Sequence, residues 1–279
     1  MTKPFPLVSR IAANEKGRDF IVGDIHGAYN SVLAAMKDAN FNSDIDRIFS
    51  VGDLIDRGPD SARCIKFLAL PYVFAIRGNH EEWLLELYAD GPPEERVLQA
   101  IARMKNYSWF SWWLDTPMNK REEILSALKQ LPYVIELQTQ RGTVGLVHAD
   151  IPANLDWPTF INAIEAKDSE VLETALWGRT RIESNNKKGV KGVDRVFVGH
   201  TPQWNGVTQF ANVFCVDTGA IFRELGLKEV GQMSFVAATA VTSYLIEPRP
   251  CALINVRDDL SADNGPSQND APFGNYVEN

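Results

Sequence analysis

The chain has 279 residues, 45% hydrophobic and 23% charged, with a formal net charge of −8. Such a composition belongs to a globular protein able to bury a sizeable core, and its acidity argues against sequence-independent nucleic-acid binding, which needs a basic face to neutralise phosphates. No window approaches the roughly 18 apolar residues of a membrane span and the N-terminus carries no long apolar run, so the chain reads as cytoplasmic with no membrane partner. Its three cysteines, Cys64, Cys215 and Cys251, lack metal-type spacing and are expected to be buried thiols in a reducing compartment.

Pro4 to Gly17 reads as a lead-in loop. The first strand is expected at Asp19 to Val22, ending in Gly23-Asp24-Ile25-His26-Gly27. A helix follows, capped by Asn30 or Ser31, with Val32, Leu33 and Met36 on one face. Arg47 to Val51 is strand-like in its β-branched and aromatic content, and Gly52 turns it into Asp53-Leu54-Ile55-Asp56-Arg57-Gly58. Pro59 suits the first turn of a short helix, opened by Asp60 or Ser61, that points Cys64, Ile65 and Leu68 inward. Tyr72 to Ile76 is a third strand and runs into Arg77-Gly78-Asn79-His80-Glu81. The helix that starts near His80 carries Trp83, Leu84, Leu87 and Tyr88 as its apolar stripe.

Ala89 to Pro93 breaks that helix, and the chain then reads as helical to about Leu131. Tyr107, Trp109, Phe110, Trp112 and Trp113 crowd this region, either as a helical subdomain packed on the sheet or as a partly exposed wall of a substrate groove. Tyr133 to Leu137 and Thr143 to Val147 form a strand pair ending in His148-Ala149-Asp150. A helical interval from Thr159 to Trp177 leads to Gly178-Arg179-Thr180-Arg181, and Glu183 to Gly189 is a surface loop. Strands at Arg195 to Val198 and Val213 to Val216 stop at Gly199-His200-Thr201-Pro202 and Asp217-Thr218-Gly219. Later strands are expected at Ser234 to Ala238 and Val241 to Ile246. With no repeat and no clear linker, residues 1–256 read as one domain with an aromatic-rich helical insertion at about 90–131, and 257–279 as a disordered acidic tail.

The polar strand ends carry the chemistry. Asp24 and Asp53 are 29 residues apart and Asp53 and Asn79 are 26 apart, intervals that fit a strand, a helix and a return of roughly 30 residues. The three clusters are therefore expected side by side on one edge of an α/β sheet, where ligands bind. Buried carboxylates without a partner are too costly, so the cluster implies a cation. All four histidines, at 26, 80, 148 and 200, stand at or just beyond the end of an expected strand. With Asp24, Asp53 and Asn79 they offer nitrogen and oxygen donors without a thiolate, a set suited to Mn²⁺, Fe or Zn²⁺ and large enough for two ions sharing a carboxylate.

Gly23-Asp24-Ile25-His26-Gly27, Gly52-Asp53-Leu54-Ile55-Asp56-Arg57-Gly58 and Gly78-Asn79-His80-Glu81 together resemble the three-part signature of the phosphoprotein phosphatases among the calcineurin-like metallophosphoesterases. His-Ala-Asp at His148 and Gly-His-Thr at His200 resemble the later metal histidines of that family, so the resemblance spans roughly residues 18 to 220. Val-His-Ala-Asp-Ile-Pro and Leu-Trp-Gly-Arg look closer to its phage and bacterial branch than to its eukaryotic members.

The resemblance implies an α+β fold, a β-sandwich flanked by helices with two metals at one edge. It implies Asp24, His26 and Asp53 as ligands of one ion, and Asp53, Asn79, His148 and His200 as ligands of the other, most simply Mn²⁺. Arg57, Asn79 and Arg179 would hold phosphate oxygens, although Arg181 stands two positions from Arg179. A hydroxide bridging the ions would attack phosphorus in line, with His80 as general acid oriented by Asp56. The activity so implied is hydrolysis of phosphoserine or phosphothreonine, with phosphotyrosine as a further substrate, in a phosphorylated protein or peptide. The alternative is a hydrolase of dinucleoside polyphosphates, a class that tends to lack the pair found here as Asp56-Arg57. A non-catalytic binding module would be expected to have lost ligands or the acid. Where phage-like relatives carry Asn-Gly-Gly-x-Trp, this chain has Asn106-Tyr107-Ser108-Trp109.

Overall fold

The computed structural model describes residues 5–227 and 231–239. In chain order these form strands β1 (Val8–Ile11) and β2 (Asp19–Val22), helix α1 (Tyr29–Asp38), β3 (Arg47–Ser50), a 3₁₀ segment (Pro59–Arg63), α2 (Cys64–Leu68), β4 (Val73–Ala75) and α3 (Asn79–Leu87). The insertion follows as α4 (Glu95–Arg103), a second 3₁₀ segment (Lys105–Trp113) and α5 (Met118–Leu128). Then come β5 (Val134–Thr139), β6 (Gly142–Val147), α6 (Trp157–Glu165), α7 (Ser169–Trp177), α8 (Thr180–Glu183), β7 (Arg195–Val198), β8 (Thr208–Phe210), β9 (Val213–Cys215), α9 (Ala220–Glu224) and β10 (Phe235–Ala237).

Two sheets pack face to face. One has the order β10-β2-β3-β4 and the other β1-β5-β6-β7-β9-β8. Their shared interior is apolar: Ile21, Phe49, Val51 and Ile76 from the first sheet and the turns after it meet Ile135, Leu137, Val144, Leu146, Phe197 and Phe214 of the second. Helices cover both outer faces, through Val32, Phe67, Leu84, Phe110, Trp113 and Leu128 on one side and Phe160, Ile161, Ile164 and Ala175 on the other. Covering both faces is why the central parallel strands read as continuous apolar runs rather than alternating ones.

Register places the site. β2, β3 and β4 are parallel, with Val22 opposite Ser50 and Ser50 opposite Ala75, so the segments after them leave the sheet at one level. β6, β7 and β9 are also mutually parallel and deliver His148, His200 and Asp217 in the same way. This is the sandwich flanked by helices that the signature implied.

Several local expectations are corrected. The lead-in holds β1, which pairs in parallel with β5 from Val8 opposite Val134 to Ile11 opposite Leu137. Four residues are too few to show a period, and the partner lies far along the chain. α1 is capped by neither Asn30 nor Ser31. It begins at Tyr29, whose buried hydroxyl donates to the Leu54 carbonyl at 3.0 Å, and Asn30 instead accepts from Arg63. The 3₁₀ segment before α2 shifts the helix phase, so Phe67 is buried beside Cys64 while Ile65 and Leu68 are half-buried. The helical interval after Asp150 is two helices, with Asp156 and Asp168 capping α6 and α7. β8, which forms a hairpin with β9, carries no strong sequence signal. Cys64 and Cys215 are buried, and burial pushes the Cys64 thiol far above its usual range and the Cys215 thiol up to about 12, leaving both inert. The expected strand at Val241 to Ile246, Cys251 and the tail lie outside the described residues.

Candidate metal centre

The segments beyond β2, β3 and β7 turn sharply to aim their side chains. His26, Asp53, Asp56, Arg57 and His200 all adopt positive φ, between 48° and 71°, a region that costs non-glycine residues energy and persists only where surroundings enforce it. Glu81 is one enforcer. Fully buried, its Oε2 accepts the N–H groups of Gly78 (2.8 Å) and Asp53 (2.9 Å), and its Oε1 those of Leu54 (2.8 Å) and Ile55 (3.3 Å). Gly199 is another necessity, because a Cβ there would collide with Asp24 Oδ1.

Asp53 lies at the centre. His26 Nε2 is 3.3 Å from its Oδ2, and His148 Nε2 is 3.4 Å from its Oδ1. Asn79 Oδ1 sits 2.8 Å from both His148 Nε2 and His200 Nδ1. Asp24 turns both carboxylate oxygens toward the His200 N–H, at 3.1 and 3.0 Å. The described residues offer two potential cation-holding groups, His26-Asp53-His80 and Asp53-His148-His200, with Asp53 common to both.

The tautomers test whether cations fit. His148 Nδ1 is 2.8 Å from the Val51 carbonyl and His26 Nδ1 is 2.8 Å from the Ile55 carbonyl; a carbonyl only accepts, so both Nδ1 atoms carry the proton. Each Nε2 then presents a lone pair to the site. The His148 lone pair faces Asn79 Oδ1 and Asp53 Oδ1, which are acceptors too, and His26 Nε2 is buried without a hydrogen-bond partner among the described residues. Protonation does not resolve the conflict, since burial pulls the pKa values of His26 and His148 down and that of His200 to about 2. Burial opposes ionisation of Asp53, but the positive charge beside it, from His80 and Arg57, favours the carboxylate and holds it below its usual range. Asp24 moves the other way, raised by burial and by repulsion from Asp217 and Asp53. Converging lone pairs on a buried carboxylate are a site for positive charge, and the donor set fits two divalent cations that share Asp53.

His80 stands beside them in a chain of hydrogen bonds. Trp112 Nε1 donates to Asp56 Oδ1 at 2.6 Å, and His80 Nδ1 donates to Asp56 Oδ2 at 2.7 Å. Burial disfavours the imidazolium, but Asp53 and Asp56 outweigh it and raise the His80 pKa. Its Nε2 points inward, 3.9 Å from Asp53 Oδ2 and 3.4 Å from the Arg57 guanidinium, and Trp109 packs edge-on against the ring at 4.6 Å. Arg57 lies over the Phe222 ring at 5.2 Å. Arg179 is exposed and reaches Thr201 Oγ1 at 2.8 Å, next to His200. Arg181 is committed elsewhere: buried, it pairs with Asp150 at 2.8 Å and donates to the Lys188 carbonyl.

The structure thus brings Asp24, His26, Asp53, Asn79, His148 and His200 to one edge with Asp56, Arg57, His80 and Arg179. Sequence reasoning missed Glu81, Trp112 and Asp217. Glu81 stood within a recognised motif with no role attached, Trp112 in an aromatic run with two readings, and Asp217 as one more strand stop. The insertion divides both ways: Phe110 and Trp113 fill the core, while Trp109 and Trp112 support His80.

The calcineurin-like phosphoesterase family profile matches residues 20–204. Serine/threonine-protein phosphatase 1 of Salmonella typhimurium is 32% identical over 223 residues, 80% of this chain and 95% of that protein. The symmetrical bis(5'-nucleosyl)-tetraphosphatase of Coxiella burnetii is 29% identical over 57% of this chain and 49% of its own length. Among solved structures, a candidate diadenosine tetraphosphatase aligns with a TM-score of 0.53 at 20% identity, covering 82% of this chain and 97% of its own, a likeness of fold. With the profile spanning most of the sandwich and the bacterial phosphatase matching nearly end to end, the chain belongs to the calcineurin-like metallophosphoesterases, in their bacterial serine/threonine protein phosphatase branch.

Proposed function

We propose that the protein is a metal-dependent phosphomonoesterase that hydrolyses phosphoserine and phosphothreonine in proteins, with phosphotyrosine as a further substrate. The observation that carries this reading is the His80-Asp56 pair beside two donor groups that share Asp53. Asp24, His26 and Asp53 would hold one cation, and Asp53, Asn79, His148 and His200 the other; Mn²⁺ is our choice over Fe or Zn²⁺. When bound, the cations supply Lewis acidity and lower the pKa of the water that attacks phosphorus. Arg57 and Arg179 place fixed charges at the rim, where their guanidinium forks bind phosphate oxygens and stabilise charge building on them. Asn79 contributes its amide N–H to the same oxygens while its carbonyl faces the histidines.

A serine or threonine alkoxide is a poor leaving group, so its protonation is worth roughly 10²–10⁴ in rate. His80 Nε2 is the donor. Asp56 stabilises the imidazolium before transfer, and Trp112 keeps Asp56 in place. Residues 1–256 are taken as the catalytic domain and the cytoplasm as its compartment; no described helix is long and apolar enough to cross a membrane.

The decisive assay strips metal from the protein, restores Mn²⁺, and follows a phosphothreonine peptide and diadenosine tetraphosphate in parallel. Phosphate release from the peptide is expected. Cleavage of the dinucleotide alone would assign the chain to the tetraphosphatase activity instead, and inactivity on both would remove the enzymatic reading.

A further inference from the structure

Six strand ends converge on the site, and five are used by the residues assigned above. The sixth is Asp217, immediately beyond β9, with β9 running parallel to the strand that delivers His200. Asp217 is 2% exposed. Its position is fixed from two sides: its carbonyl accepts from Gln203 N–H and its Oδ1 accepts from Gly219 N–H at 2.9 Å. Its Oδ2 is buried and has no hydrogen-bond partner among the described residues.

The neighbourhood makes that orphan informative. A Cβ on Gly23 would meet the Val216 carbonyl and lie 3.3 Å from the Asp217 Cα, so the backbone before Asp24 rests directly on this turn. The Asp217 carboxyl repels that of Asp24 and helps to raise it. Asp53 and Arg57 also act on Asp217. Three buried carboxylates therefore crowd one side of the centre, and Arg57, over the Phe222 ring, is not within ion-pair distance of any of them. A turn alone needs one carboxylate oxygen, and Oδ1 already serves it. Burying the second without a partner is costly unless positive charge stands in front of it.

We infer that Asp217 is a further carboxylate of the first cation's site, joining Asp24, His26 and Asp53 and positioning that ion through Oδ2; the inference rests on the two-cation reading above. Residues of this kind, whose oxygens face the ion from beyond its inner ligands, typically change metal affinity ten- to hundredfold when replaced.

The test titrates metal-stripped protein with Mn²⁺ by calorimetry. Wild type is expected to take up two equivalents; fewer would overturn the two-cation reading and this inference with it. Asp217→Asn keeps an oxygen for the Gly219 N–H and removes the charge. It is expected to bind one equivalent ten- to hundredfold more weakly and the other unchanged, while its metal-free melting temperature stays equal to wild type or rises, because a like charge has gone. A His148→Asn variant weakens the other equivalent and so tells the two apart. Two equivalents at wild-type affinity in Asp217→Asn, beside a two-equivalent wild type, would overturn the role of Asp217 alone and leave it as a turn residue. Asp217→Ser, whose hydroxyl preserves the turn bond, carries the same comparison if the asparagine variant does not fold.

Discussion

Replacing Glu81 with glutamine tests the idea that one buried carboxylate sets the loop that carries Asp53. Each Glu81 oxygen accepts two backbone N–H groups, from Gly78 and Asp53 on one side and from Leu54 and Ile55 on the other. Whichever way a glutamine amide turns, its NH₂ faces two donors. Two hydrogen bonds to a charged acceptor are lost, at about 1.5–3 kcal/mol each. Part of this returns, because burial and the Asp53 charge push the Glu81 carboxyl up to about 7, and a neutral amide escapes that penalty. The net expectation is a loss of about 2–4 kcal/mol of stability. Asp53 and Asp56, at φ of 50° and 71°, then lose an enforcer, and a misplacement near 1 Å lowers turnover by about 10²-fold. Urea unfolding of the metal-free proteins measures the first effect and kcat on a phosphopeptide the second. A variant within about 0.5 kcal/mol of wild type and equally active would refute the reasoning.

Four further outcomes are expected. His80→Asn should depress turnover about 10²–10⁴-fold on an alkyl phosphate and much less on an aryl phosphate with a good leaving group; equal losses would remove its acid role. Trp112→Phe deletes the N–H that Asp56 accepts at 2.6 Å, so kcat should fall with KM little changed, and an unaltered kcat would separate Trp112 from the acid. Asp46 accepts hydrogen bonds from Asn42 N–H and from the backbone and guanidinium of Arg18, which outweigh burial and depress its pKa. Its contribution is therefore complete above the unfolded carboxyl value of about 3.9 and is lost as pH falls through the lower folded value. Asp46→Asn should cost about 2 kcal/mol at pH 7, and the gap to wild type in urea should close in acid; a gap independent of pH would contradict this. Finally, a Cβ at Gly145 would collide with the Trp157 ring, which a 2.8 Å bond to Glu136 holds in place, so Gly145→Ala should lower stability by at least about 1–3 kcal/mol in a thermal melt.

The insertion shows where reading the chain ran short. Five aromatics in seven positions announce burial of large rings, yet the 3₁₀ path of Lys105–Trp113 decides which ring turns where. Phe110 and Trp113 enter the core while Trp112 reaches Asp56, 56 residues back along the chain. A helical wheel has the wrong period for such a segment. β1 and β8 escaped for a different reason: each is a short edge strand whose identity comes from its neighbour. Nothing local separates Arg179 from Arg181 either: Asp150, 31 residues away, pairs with Arg181, while Arg179 is exposed.

What the sequence determined by itself is the chemistry at the strand ends. Apolar runs that stop at Asp, His or Asn imply buried strands with polar tips, because a chain cannot bury such residues in series without a reason, and the intervals between them imply parallel strands returned by helices. The donor inventory and the family likeness follow from those tips. Only the tertiary structure decided which orphaned atoms remain when every local hydrogen bond is made. That His148 Nε2 faces two acceptors, that Glu81 binds four N–H groups, and that Asp217 Oδ2 finds no partner among the described residues are consequences of two sheets meeting at one edge. Partnership among buried polar groups depends on distances between segments far apart in the chain, and no local pattern encodes it.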